Sequence, residues 1–427
     1  MDAAPAETQR DRPRIVIVGA GISGRVLASM LTGVPAEVLV LEQVIPPGRK
    51  AVFPGIVDAS DLRAIGLPPF LSGTLQVARI AQVDLSGHVA ESIREPSGWL
   101  AIEHGDLLAR LKALIASKSV TVVPDATVTE FLWDQGNVAG VQCGGDQSYV
   151  AAVVVLADET DPGLAGPLGL RPDWMPTELM HLGKRRYAAG GEAVHDRLGV
   201  DDEGYRLIYF LHNASWGSPG YGLVIPGPDS ITLTVAMSLE DAMVSARHIS
   251  EYLDEVERLP PIRDHLANLT MDSYMTEVVP TGGFDTRNAF HTDNVLLVND
   301  LVGVTNPLNR DGLSANLKVC TAAAKTIARA VAINDFRAGS LRQYTGGIAD
   351  DVISPVGRAR RADRTLRACP PWQWASKPDL IASDTGVTTG PKSATLSRIS
   401  DSSAWRRLRG PGRLPGARRH TPGEHDE

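Results

Sequence analysis

The sequence predicts an α/β fold: a parallel, Rossmann-like nucleotide-binding sheet with a mixed-sheet domain inserted into it. Three observations carry this. Residues 15–24 read Ile-Val-Ile-Val-Gly-Ala-Gly-Ile-Ser-Gly, a buried strand running straight into a Gly-x-Gly-x-x-Gly turn. A second apolar strand, Val38-Leu39-Val40-Leu41, ends in the carboxylate of Glu42. Far along the chain, Val295-Leu296-Leu297-Val298 supplies a further buried strand, followed by Asn299-Asp300 and by a long helical pattern that opens at Gly312.

Each glycine of the turn has its own physical reason. Gly19 permits the tight turn, Gly21, after Ala20, lets a pyrophosphate approach the backbone, and Gly24 lets the following helix pack close to the strand. Free N–H groups at the start of that helix then face the phosphates. At the tip of the second strand, Glu42 can accept both hydroxyls of an adenosine ribose and disfavours a 2′-phosphate. This much does not separate NAD from FAD.

The chain of 427 residues is long enough to bury a large core, and its net charge of −8 argues against general nucleic-acid affinity. No apolar run approaches the roughly 18 residues that span a bilayer, so no transmembrane segment is expected. Residues 1–13 are polar, lack a secretory h-region and are expected to be disordered, which points to the cytoplasm. Cys143, Cys320 and Cys369 are too few and too scattered for a disulfide framework or a four-cysteine cluster. Basic residues crowd 358–367 and 406–419, where Pro, Gly and Ser predict a solvated tail rather than a contact with an anionic surface.

Organisation follows from periodicity. Residues 14–180 form the first part of the nucleotide-binding domain, with a helix over 105–117 whose Leu107, Leu108, Leu111 and Leu114 share a face. Strands follow at 120–123, 128–133 and 138–143, with a hairpin turn at Asp134-Gln135-Gly136-Asn137, and another at 151–157. Residues 181–290 form the inserted substrate domain, with strands at 206–211, 222–225 and 230–237 and a helix from 239 to about 259. Residues 291–384 return to the first domain and carry C-terminal helices, with a long helix from 313 to about 332, and 385–427 form a basic tail with little fixed structure.

Asp300, at the tip of the returning strand, can hold a ribityl chain or a pyrophosphate, and Gly312 can present N–H groups to a flavin pyrimidine edge. Read from these residues alone, an Asp-capped loop before a helix is the better explanation. The segment from Asn294 to Gly303, with Asn309-Arg310-Asp311-Gly312, resembles the second FAD motif of the FixC-type flavoproteins, the group of electron-transfer flavoprotein:quinone oxidoreductases and geranylgeranyl reductases. Further segments match in the same order: Pro47-Gly48-Arg49-Lys50, Asp158 with Leu164-Ala165 and Leu168-Gly169-Leu170, Gly220-Tyr221-Gly222 with Pro226, Ser238-Leu239-Glu240-Asp241-Ala242, and Pro280-Thr281-Gly282-Gly283-Phe284.

The resemblance implies the fold of p-hydroxybenzoate hydroxylase, with a glutathione reductase-type FAD domain and the substrate at the domain boundary. It implies that Gly19, Ala20, Gly21 and Gly24 bind pyrophosphate, Glu42 the adenosine ribose and Asp300 the phosphate–ribityl region. Val123 would flank the adenine, and Gly312 and Leu313 would lie beside the isoalloxazine ring. Three positions depart from the family pattern: Asn299 replaces a glycine before Asp300, Glu159 a glycine after Asp158, and His104 an arginine at a helix start. Asn is among the cheapest substitutes for glycine at positive φ. These departures leave open weaker cofactor binding, a changed cofactor role or ordinary drift.

Titratable candidates are His181, His212, His291, Tyr209, Tyr221 and Asp311. The weak catalytic candidates are Tyr221, with Trp216 near it in a segment like one beside the family's substrate cavity, and Asp311. No Ser-His-Asp, zinc or P-loop spacing competes. No second glycine fingerprint offers a resident NAD(P)H site, so electrons would come from transiently docked NAD(P)H or a protein donor. The expected function is an FAD-dependent oxidoreductase that reduces or desaturates a carbon–carbon bond of a hydrophobic small molecule, in isoprenoid or natural-product tailoring. The alternatives are a flavin monooxygenase using NAD(P)H and oxygen, and a non-redox cyclase with structural FAD.

Overall fold

Runs of β-branched residues and leucine, apolar on both faces, build the first sheet. The computed structural model describes residues 12–43, 53–68, 73–83, 89–93, 98–157, 163–171, 173–200, 203–212, 220–245, 247–281, 289–307 and 312–368. Asp158, Glu159, Trp216, Asp311, Cys369 and the segments 47–50, 282–284 and 309–310 lie outside them, as does everything beyond 368. Six strands lie in the order His291–Thr292, Val295–Leu297, Val153–Leu156, Arg14–Val18, Glu37–Leu41 and Val120–Val123, parallel except for the first pair. Ile15, Val16 and Ile17 are wholly buried, as strands of a parallel sheet covered on both sides must be.

Register decides where this sheet can bind. Val18 stands level with Leu41 and Leu156, Leu41 with Val123, and Leu156 with Leu297. Gly19, Glu42 and Asn299 therefore leave the sheet close to one carboxyl edge, where open α/β sheets bind ligands. The first helix is Ile22–Met30, and the helices His104–Ala116 and Leu313–Ile333 agree with their sequence patterns to within a residue or so. An antiparallel meander, Val128–Asp134, Asn137–Cys143 and Ser148–Val150, adds Phe131, Val138 and Val141 to the same core. Its hairpin turn puts Gln135 at φ 48° and Gly136 at φ 84°, the two left-handed residues of a primed turn.

The second sheet runs Thr270–Pro280, Leu179–Ala188, Ser230–Ser238, Gly220–Pro226, Gly204–His212, Thr74–Val83, Trp99–Glu103 and Pro54–Asp58. The strands at 179–188 and 270–280, absent from the sequence reading, carry Lys184, Arg185, Arg186, Asp272 and Glu277 among their apolar residues, which hides the alternation. Four strands from residues 54–103 join this sheet, Val89–Ile93 pairing with Thr74–Val83, so both stretches of chain contribute to it. The single helix expected over 239–259 is instead two, Leu239–Ser245 and Ile249–Glu257. His248, extended at ψ 142°, caps the second by accepting from the Ser250 N–H, while Glu251 accepts from the His248 N–H at 3.1 Å.

One face of this sheet packs Ile231, Leu233 and Val235 against Ile249, Tyr252 and Leu253. The other packs Val77, Leu207, Tyr221, Leu223 and Ile225 against Ala359 and Ala362 of the last helix, Ser354–Ala368. Basic residues 358–367 are thus not a solvated tail: they lie on an amphipathic helix that buries Val356, Ala359, Ala362 and Asp363 and exposes Arg358, Arg361 and Arg364. No helix among the described residues is long and apolar enough to cross a membrane.

Tyr221 is wholly buried, and its hydroxyl donates to Asp363 Oδ1 on that last helix. Tyr221→Phe should lose a hydrogen bond to a carboxylate and destabilise the protein by about 1.5–3 kcal/mol. Urea unfolding checks the magnitude, and faster amide exchange over 354–368 checks that the loss is local.

Candidate functional site

The glycine turn is built as its spacing requires. Gly19 has φ 104°, and its N–H donates to Leu41 O at 3.0 Å, tying the turn to the tip of the next strand. A Cβ on Gly24 would stand 1.9 Å from Gly19 O, so only glycine lets the helix start this close to the turn. Gly21 caps the helix in an extended conformation that any residue adopts, and no side chain caps the first-turn N–H groups. Ala20 is buried, and its carbonyl accepts from Arg25 Nε at 2.7 Å.

Arg25 is the residue that sequence reasoning missed in the first half-site. Only 3 % exposed, it also donates from Nη2 to Glu42 Oε1 at 2.7 Å, and Lys112 Nζ stands 3.9 Å from the same oxygen. Glu42 is held by its backbone too, its N–H donating to Val123 O and its carbonyl accepting from Ala126, both at 2.9 Å. A groove of about 250 Å³ opens here between Arg25, Glu42, Lys112, Val120 and Val122. Glu42 and Val123 are thereby brought to one end of the sheet edge.

At the other end, Asn299 adopts φ 65°, the left-handed conformation in which the family glycine would be free. Its Oδ1 accepts from Ser23 Oγ at 3.1 Å, so the residue that departs from the pattern stitches the returning loop to the glycine turn. Asp300 Oδ1 accepts from Asn316 Nδ2 at 3.3 Å, one turn into the long helix that Gly312 opens. Arg171, 1 % exposed, donates from Nε to Leu301 O at 2.9 Å and stacks on Trp174. Leu313 is half-buried, and the following Ser314 accepts the Asp58 N–H at 2.8 Å. Gly19, Ala20, Gly21, Gly24, Glu42, Val123, Asp300, Gly312 and Leu313 thus fall along one connected edge.

Tyr221 is tied to the last helix, and Asp311 lies outside the described residues. His181 and His291 are half-buried and shifted down by burial, with His248 adding to the shift at His181. Tyr209 and His212 belong to the strand Gly204–His212. His104, at the start of its helix, packs over Gly55 with Nε2 buried and unpartnered among the described residues. Burial, and then the Lys184 ammonium, push it down to about 4 against the pull of Glu277, so it is neutral at pH 7. Lys184 itself is ion-paired with Glu277.

The groups present suit a dinucleotide that carries a polyol. The cradle at Gly19–Gly24 could take phosphate, Glu42 could take a ribose, and Asn316 Oδ1 is a buried acceptor with no partner among the described residues.

Asn299→Ala should lose the Ser23 bond and place a methyl group at positive φ, for about 1–2 kcal/mol, whereas Asn299→Gly should cost less; denaturant melts compare them. Asp61 hydrogen-bonds Ser314, and burial raises its carboxyl above 3.8 despite Lys318. A raised carboxyl folds most stably when protonated, and its stabilisation is lost as pH rises from the unfolded value through the folded one. Asp61→Asn should therefore raise the melting temperature at pH 7.5 by more than at pH 5.

No family model matches the chain. It is 26% identical over 347 residues to the "Probable electron transfer flavoprotein-quinone oxidoreductase YdiS" of Escherichia coli, covering 78% of this chain and 80% of the relative. It is 25% identical over 387 residues to "Protein FixC" of Rhizobium meliloti, covering 86% and 88%. Among solved structures, a geranylgeranyl bacteriochlorophyll reductase-like protein from Thermoplasma acidophilum superposes with a TM-score of 0.71 at 16% identity, over 92% of this chain and 97% of that one. PqsL, a probable FAD-dependent monooxygenase from Pseudomonas aeruginosa, does so at 0.66 and 16%, over 88% and 100%. The chain is a homologue of YdiS and FixC, and its fold is shared with a reductase-like protein and a probable FAD-dependent monooxygenase.

Proposed function

We propose that the protein holds FAD along the carboxyl edge of the first sheet and uses it to reduce or desaturate a carbon–carbon bond of a hydrophobic small molecule. The observation that carries the reading is the Ser23–Asn299 hydrogen bond, which ties the returning loop to the glycine turn. Bound FAD supplies the two-electron chemistry. Gly19, Ala20, Gly21 and Gly24 would receive the pyrophosphate at the N-terminus of the first helix, the Gly19 N–H itself being engaged by Leu41 O. Glu42, with Oε1 engaged by Arg25, would offer its other oxygen to the adenosine ribose, beside Val123. Asp300 would hold the ribityl region. Gly312 and Leu313 would place the positive end of a 21-residue helix at the flavin, where it favours negative charge.

Names of relatives support the class: YdiS is described as an oxidoreductase, and the Thermoplasma structure as reductase-like. Electrons would come from transiently docked NAD(P)H or, as the name of YdiS suggests, from a protein donor. The PqsL fold keeps the monooxygenase as the rival.

The purified protein should show the visible bands of oxidised flavin, and Asp300→Ala should reduce its flavin content at least severalfold. Anaerobic NADH or NADPH should bleach those bands if a nicotinamide is the donor; bands that persist would point to a protein donor. Oxygen uptake driven by NADPH and substrate would favour the monooxygenase, and a protein without flavin affinity would remove the reading.

A further inference from the structure

Asn316 is an unexpected residue for its place. Asparagine is disfavoured inside helices because its side chain competes for backbone groups, yet here it stands in the first turn and a half of Leu313–Ile333, where its backbone N–H donates to Gly312 O at 2.9 Å. The side chain does something else. Its Nδ2 donates to Asp300 Oδ1 at 3.3 Å. An ionised carboxylate only accepts, so the amide must turn its NH2 toward Asp300, which leaves Oδ1, the other arm of the amide, as an acceptor for a different donor. That oxygen is buried in a residue 8 % exposed and has no partner among the described residues.

Neighbours on the same helix face say what it looks toward. Cys320, one turn on, donates from Sγ to Ser23 O at 3.4 Å. Ser23 in turn donates to Asn299. Asn316 therefore sits between the Asp300 loop and the start of the first helix, at the seam between the two half-sites. A buried amide oxygen left unsatisfied costs about 1–3 kcal/mol and needs a donor. A diphosphate carries none, whereas the hydroxyls of a ribityl chain do.

We infer that Asn316 is a cofactor-binding residue, fixing Asp300 through Nδ2 and accepting a ribityl hydroxyl at Oδ1. This rests on the FAD reading above and adds to it a residue that no part of the fingerprint contains. It makes Asn316 selective for the flavin half of the dinucleotide, with no role at the adenosine half.

The test separates the halves with two probes, FAD and ADP, which shares the adenosine and diphosphate but lacks the ribityl chain. Dissociation constants are measured on the flavin-stripped full-length protein and on Asn316→Ala and Asn316→Ser, with circular dichroism confirming that each is folded. Asn316→Ala should weaken FAD by about tenfold while leaving ADP within about twofold of the parent. Asn316→Ser, which returns a small hydroxyl, should lose no more than Asn316→Ala and provides the same comparison if the alanine variant does not fold. Unchanged FAD binding in a folded variant, or equal loss of FAD and ADP, would overturn the inference while leaving the FAD reading intact. A parent protein that binds no FAD would remove that reading and this one together, and the parent titration alone reveals it.

Discussion

The structure turns on one buried hydrogen bond between residues 276 positions apart, Ser23 Oγ to Asn299 Oδ1. The first strand and its glycine turn come from the start of the chain, and the returning loop from beyond the inserted sheet. Only a fold that brings the strand Val295–Leu297 back beside Val153–Leu156, itself paired with Arg14–Val18, can place them together. Once it has, Gly24 can pack on Gly19 O, and Asn299 can spend its left-handed conformation on a bond that a glycine could not make. The remaining contacts of the edge follow: Cys320 to the Ser23 carbonyl, Asn316 to Asp300, Arg171 under Leu301.

Charge at this edge is paired rather than left alone. Arg25 is buried beside Glu42 and ion-paired with it, which keeps an acid at the tip of the second strand without leaving an unpaired charge. At the second sheet the logic changes. His104 stays neutral against Lys184 and Glu277, and burial raises the nearby Glu103 to about 7. An arginine in place of His104 would add a second cation beside Lys184. The departure at 104 therefore goes with an ion pair already present on the facing strands.

Strands buried on both faces were legible because their apolar residues are continuous, and the helices because their faces are strongly periodic. The glycine turn was legible because each glycine answers a separate steric demand. The strands at 179–188 and 270–280 were not, since arginines and acids that pair across the sheet interrupt the pattern. The basic run at 358–367 was misread for a related reason: composition outweighed a narrow stripe of Val356, Ala359 and Ala362, wide enough to dock on Leu223 and Ile225. Arg25, Asn316 and Arg171 were invisible because their roles depend on partners distant in sequence. The signal available for Asn316 was an asparagine inside a helix.

The central claim is that one FAD spans the two half-sites. The most direct measurement is the identity and amount of nucleotide released when the purified protein is denatured, read by mass spectrometry and absorbance. The structure predicts FAD, approaching one per chain after reconstitution. FMN or NAD in its place, or no nucleotide retained after reconstitution with FAD, would contradict it.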